Sequence, residues 1–79
     1  MPKSILVADD DKAMLGIYTR IFSGTDYLVS KAASFAEAAA LINARSFDLL
    51  ITDLQFPDGV GTDLIRLFEE KKKTPGVCS

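Results

Sequence analysis

An α/β fold with a doubly wound parallel sheet is what this sequence predicts, on three observations. Residues 5–8 and 48–53 are largely aliphatic runs, as expected of strands covered on both faces. Segments with apolar residues at helical spacing lie between and after these runs. Capping residues, glycines and prolines fall at the borders. The order is βαβαβα followed by the start of a fourth strand, within the one small domain that 79 residues allow. Strands alternating with helices imply parallel pairing through right-handed crossovers. In such sheets, ligands bind beyond the carboxyl ends of the strands, where the strand order reverses.

Each element has its own signal. After the strand at 5–8, Met14, Ile17, Tyr18, Ile21 and Phe22 recur at helical spacing, with Gly24 just past the helix end. Met14, Tyr18 and Phe22 are the expected core stripe. Residues 27–31 alternate Tyr27, Val29 and Lys31 against Leu28 and Ser30, which predicts a strand at a sheet edge. Ser34 and Glu37 have the spacing of a capping box, and Phe35, Ala38, Leu41 and Ile42 share one face of the helix behind it. The strand at 48–53 follows. Phe56 and Pro57 read as loop packing, and Asp58 and Gly59 as a turn. The last helix runs from 61 or 62 to 72 with Leu64, Ile65, Leu67 and Phe68 inward, and Asp63 is an acid of its first turn. Thr74-Pro75-Gly76 stops it before residues 77–79 open the fourth strand.

Composition removes several classes of function. A net charge of −2 gives no basic footprint for nucleic acid, and the run Lys71-Lys72-Lys73 suits a solvated helix end. No stretch is long and apolar enough to span a bilayer, and no secretory signal opens the chain, so no membrane contact and a cytoplasmic location are expected. The single cysteine, Cys78, excludes a disulfide framework and a thiolate metal cluster. Histidine is absent, which removes Ser-His and Cys-His pairs and imidazole zinc sites. Any site must run on carboxylates, hydroxyls, lysines and the backbone.

The carboxylates are where chemistry is expected. Asp9-Asp10-Asp11 ends the first strand, and Asp53 ends the third. If those strands are neighbours, several like charges meet at one sheet edge, an arrangement that persists most readily around a hard divalent cation. Acids also favour helix starts, and that reading accounts for Asp11 as an N-cap or first-turn residue. It accounts poorly for three acids in succession after a buried strand.

These residues resemble the receiver domain of two-component response regulators. The matching features are Ile5-Leu6-Val7-Ala8-Asp9-Asp10-Asp11 and Asp48-Leu49-Leu50-Ile51-Thr52-Asp53-Leu54, then Gln55-Phe56-Pro57-Asp58-Gly59-Val60-Gly61. Pro57 stands four positions after Asp53 and Gly61 eight, as the family's pattern asks. The resemblance implies a flavodoxin-like sheet with strand order 2-1-3. It implies that Asp53 is the phosphoacceptor, taking a phosphoryl group from a histidine kinase or phosphotransfer protein. It implies Mg²⁺ held by Asp9, Asp10, Asp53 and the backbone carbonyl of Gln55. The chain would then be a phosphoacceptor that assists its own modification, not a dedicated enzyme.

The resemblance further implies that residues 1–79 form a receiver domain incomplete at its C-terminus. The family's Ser or Thr at the end of the fourth strand and Lys at the end of the fifth would lie past these residues, with the fourth and fifth βα units. In that case the third strand is an apolar edge, and a homo-oligomer paired through it is an expectation. Two other readings stay open. One is an interaction and assembly module of receiver-like fold that is not phosphorylated. The other is a fragment of a haloacid dehalogenase-like phosphatase with Asp9 as nucleophile, although Ala13 stands where that family prefers Thr or Val.

Overall fold

The computed structural model describes residues 3–72. The elements are β1 (Ser4–Ala8), α1 (Lys12–Phe22), β2 (Leu28–Ala32), α2 (Phe35–Ala44), β3 (Leu49–Thr52), β4 (Gln55–Phe56), β5 (Gly59–Val60) and α3 (Gly61–Lys72). The expected fourth strand of the parallel sheet, at 77–79, lies outside the described residues, as do Lys73, Cys78 and the helix stop at 74–76.

β1 is the middle strand because it is apolar on both faces. It pairs in parallel with β2 on one side, Ser4 opposite Leu28 through Ala8 opposite Ala32. On the other side it pairs in parallel with β3, Ile5 opposite Leu49 through Ala8 opposite Thr52. The order β2-β1-β3 makes neighbours of the two strands that end in acid. Side chains of β1 alternate between two cores, as the two-residue period of a strand requires. Ile5 and Val7 pack with Leu15, Tyr18, Phe22, Val29 and Ile51 under α1. Leu6 and Ala8 pack with Ala38, Ile42, Phe47, Phe56 and Leu64 under α2 and α3. Both cores are needed: burying one Leu or Ile is worth about 1.5–3 kcal/mol, and a domain this small has few to spare.

Strand borders differ from the sequence signals by one residue, and two helices turn a different set of residues inward. In α1 the buried centre is Leu15, whereas Ile17 and Ile21 are 49% and 61% exposed. The inward stripe is Leu15, Tyr18 and Phe22, spaced i, i+3, i+7, which turns Ile17 and Ile21 to the opposite side. In α3, Leu64 is fully buried and Leu67 and Phe68 pack on the same core, but Ile65 faces out. Strand β2 begins one residue later than expected; Tyr27 stays outside it and packs edge-on against Phe22, the ring centroids 5.7 Å apart. β2 is a sheet edge, as its alternation predicts, and β3 is the other edge of the three-stranded sheet among the described residues, with Leu49 exposed. No helix among the described residues is long and apolar enough to cross a membrane.

The loop after β3 is a small antiparallel hairpin, Gln55 opposite Val60 and Phe56 opposite Gly59. Phe56 is buried in the core beneath α2 and α3, while Pro57 at the tip is exposed.

Candidate carboxylate site

Strand ladders that run one residue past their ends align the acids. The amide of Asp53 donates to the carbonyl of Ala8 at 2.9 Å, and that of Asp9 donates to the carbonyl of Ala32 at 3.0 Å. Asp9 and Asp53 therefore leave neighbouring strands at the same level. One carboxylate oxygen from each of Asp9, Asp10 and Asp53 lies within 4.8 Å of the others. The structure thus brings together the three acids singled out in the sequence. Gln55 lines the same open hollow, with Asp10, Asp53, Leu54, Phe56 and Pro57.

Each acid has a distinct setting. Asp9 is buried, and its Oδ1 accepts the amide of Asp11 at 2.9 Å. Asp11 is the N-cap of α1, its carboxylate accepting the amide of Ala13 at 2.9 Å, so it serves the helix and not the cluster. Asp10 and Asp53 are exposed. The amide of Leu54 donates to Asp53 Oδ1 at 2.8 Å, which fixes the carboxylate rotation. Among the described residues, no lysine or arginine pairs with any of the three. An all-oxygen set of uncompensated carboxylates fits a hard cation such as Mg²⁺ and does not fit a soft metal.

Glycine and aromatic packing shape the rim. A Cβ on Gly61 would stand 1.9 Å from the carbonyl oxygen of Asp53, so the start of α3 lies directly against the Asp53 backbone. The Gly61 amide donates to the Leu54 carbonyl at 2.8 Å and closes the base of the hairpin.

Asp58 has a role that turn chemistry did not suggest. Its Oδ1 accepts the amide of Phe35 at 3.0 Å and its Oδ2 the amide of Ala36 at 3.1 Å. Those bonds, the Phe35 amide first, hold the Asp58 carboxyl below its ordinary value of 3.8. Ser34 caps α2 as its spacing predicts, accepting the amide of Glu37 at 3.1 Å. Glu37 reaches back to the amide of Ala33, one residue short of the capping-box partner. No local signal in the sequence links Asp58 to a helix more than twenty residues earlier.

Comparison with known proteins decides the family. The sequence matches the response regulator receiver domain over residues 5–78. The chain belongs to that family. It is 36% identical over 63 residues to the transcriptional regulatory protein CitT of Bacillus subtilis, covering 77% of this chain and 28% of that protein. Among solved structures, the non-phosphorylated HemR receiver domain of Leptospira biflexa superposes with a TM-score of 0.79 at 33% identity, covering 92% of this chain and 58% of that one. A CheY-like receiver domain protein of Methanospirillum hungatei gives 0.84 at 32% identity, covering 94% and 60%. The receiver chain spans between 28% and 38% of the length of the curated relatives it matches. Its order β2-β1-β3 is that of the flavodoxin-like sheet expected from the sequence. The dehalogenase-like reading falls with this match.

Proposed function

We propose that this receiver accepts a phosphoryl group on Asp53, with Mg²⁺ held by Asp9, Asp10, Asp53 and the Gln55 carbonyl. The observation that carries the reading is the meeting of three carboxylates, with no basic partner, at the carboxyl ends of β1 and β3. When bound, the ion would neutralise charge on the carboxylates and on the incoming phosphoryl oxygens.

The chain's own part is positioning. Asp53 projects from a strand end, exposed, with Oδ1 engaged by the Leu54 amide, which leaves Oδ2 as the attacking oxygen. A P–O bond forms there as the P–N bond of a phosphohistidine breaks, and the departing imidazole takes up a proton. Such loose transition states need alignment and charge neutralisation more than covalent machinery. These 79 residues hold no histidine, so the phosphohistidine donor lies outside them, on a histidine kinase or phosphotransfer protein. Asp9, buried and committed to the Asp11 amide, is a ligand and not a nucleophile. The part played is that of a phosphoacceptor in two-component signalling in the cytoplasm, not of a dedicated enzyme.

Intact mass after incubation with a small phosphoramidate tests this. One added phosphoryl group that requires Mg²⁺ is the expected result. A folded, Mg²⁺-loaded sample that gains none would contradict it.

A further inference from the structure

The hairpin 55–60 is fastened at both ends. At its base, the Gly61 amide holds the Leu54 carbonyl and the Gly61 backbone lies against Asp53. At its tip, Asp58 takes the first two amides of α2, those of Phe35 and Ala36. Ser34 takes the third, that of Glu37, so the orphan donors of the first turn are shared between a local cap and a distant one. The negative carboxylate also sits where the helix dipole favours it. Apolar contacts reinforce the tip: Phe56 meets Phe35 edge-on at 6.5 Å, and a Cβ on Gly59 would stand 2.4 Å from the Phe35 ring. Gln55, whose carbonyl is the fourth ligand in the reading above, opens this hairpin and pairs with Val60 across it.

We propose that Asp58 is a positioning residue of the carboxylate site, coupling ion binding at Asp9, Asp10 and Asp53 to the N-terminal turn of α2 through the hairpin. The inference rests on the metal-site reading and extends it to a helix that supplies none of the proposed ligands. The hairpin that presents the Gln55 carbonyl is held by the Asp58 bonds to α2. Whatever orders it for the ion therefore strengthens those bonds, and the bonds in turn favour the ion by the same factor.

The test combines Mg²⁺ titration by calorimetry with amide hydrogen exchange, on the wild-type chain and four variants. Asp58→Ala removes both bonds and is expected to weaken Mg²⁺ binding roughly 5- to 10-fold, at the lower end of ordinary coupling factors. Asp58→Asn keeps one acceptor and is expected to fall between Asp58→Ala and wild type, which also keeps the test intact if the alanine variant does not fold. Reciprocally, Mg²⁺ should slow exchange of the Phe35 and Ala36 amides in the wild type by the same factor as the affinity loss. Ser34→Ala is the structural control: it removes a local cap of the same helix turn and keeps both Asp58 bonds, so its loss of Mg²⁺ affinity should be well below that of Asp58→Ala. Equal Mg²⁺ affinity in wild type and Asp58→Ala, or an equal loss in Ser34→Ala, would overturn the coupling and leave the metal site standing. A wild-type chain whose Mg²⁺ response is unchanged by Asp10→Asn would overturn both.

Discussion

The carbonyl oxygen of Asp53 lies 1.9 Å from where a Cβ on Gly61 would be. The obstruction is backbone and not a flexible side-chain end, so a larger residue has nowhere to go. Gly61→Ala is expected to displace the start of α3 or the Asp53 peptide, at a cost of about 1–3 kcal/mol typical of overpacking. Urea unfolding should show the lowered midpoint, and Mg²⁺ affinity should fall with it. An unchanged midpoint would mean that the contact is not maintained in solution.

Leu64 is fully buried among Leu6, Ala38, Ile42 and Phe56. Leu64→Ala should cost about 2–5 kcal/mol, the range for large-to-small changes in a core. In a small domain that is a large share of the total stability. The neighbouring Ile65→Ala, on the outer side of α3, should cost well under half as much. Thermal unfolding of the pair checks the contrast.

Asp10 is exposed and, among the described residues, has no cationic partner, so its charge is available to an ion. Asp10→Asn is expected to weaken Mg²⁺ binding by about tenfold or more, tenfold being about 1.4 kcal/mol. Folding should be retained or slightly improved, since one of three clustered like charges is gone. Calorimetric titration alongside thermal unfolding reads both effects.

Acid should weaken the tie between Asp58 and α2. Its carboxyl is held below the ordinary value of 3.8 by the Phe35 and Ala36 amides. The native state therefore binds this proton less readily than the unfolded chain. The stabilisation is fully present above the ordinary value and is lost as pH falls through the lowered one. The stability gap between wild type and Asp58→Asn should be constant near neutrality and close as the pH drops below about 4. Denaturant titrations at several pH values would show it, and a gap that widened in acid would contradict the hydrogen-bond assignment.

How far the sequence was legible depended on the range of each interaction. Asp11 and Ser34 cap helices through amides two and three residues on, so their signals are local and were readable. The aliphatic runs of β1 and β3 mark both as strands but do not rank them, so the central place of β1 came with the resemblance, and the meeting of Asp9, Asp10 and Asp53 followed from β1 and β3 being neighbours. Ile17 and Ile21 fit a helical stripe as well as Leu15 does, and only packing against Ile5 and Val7 selects which stripe turns inward. The hairpin of β4 and β5 has two residues per strand, too short for any period to register. Asp58 looked like a turn residue because its partners are 23 and 22 positions away. Pro57 and Gly61 were recognised as a pattern, but the reason for Gly61, its approach to Asp53, is visible only in three dimensions.

The central claim is that Asp53 is the nucleophile and that Asp9 and Asp10 serve as ligands. Peptide mapping of the phosphorylated chain, after borohydride reduction of the acyl phosphate to the alcohol, tests it most directly. A single Mg²⁺-dependent modification at Asp53, abolished in a folded Asp53→Asn variant, is the predicted result. Modification at Asp9 or Asp10, or an unchanged yield in Asp53→Asn, would contradict the account.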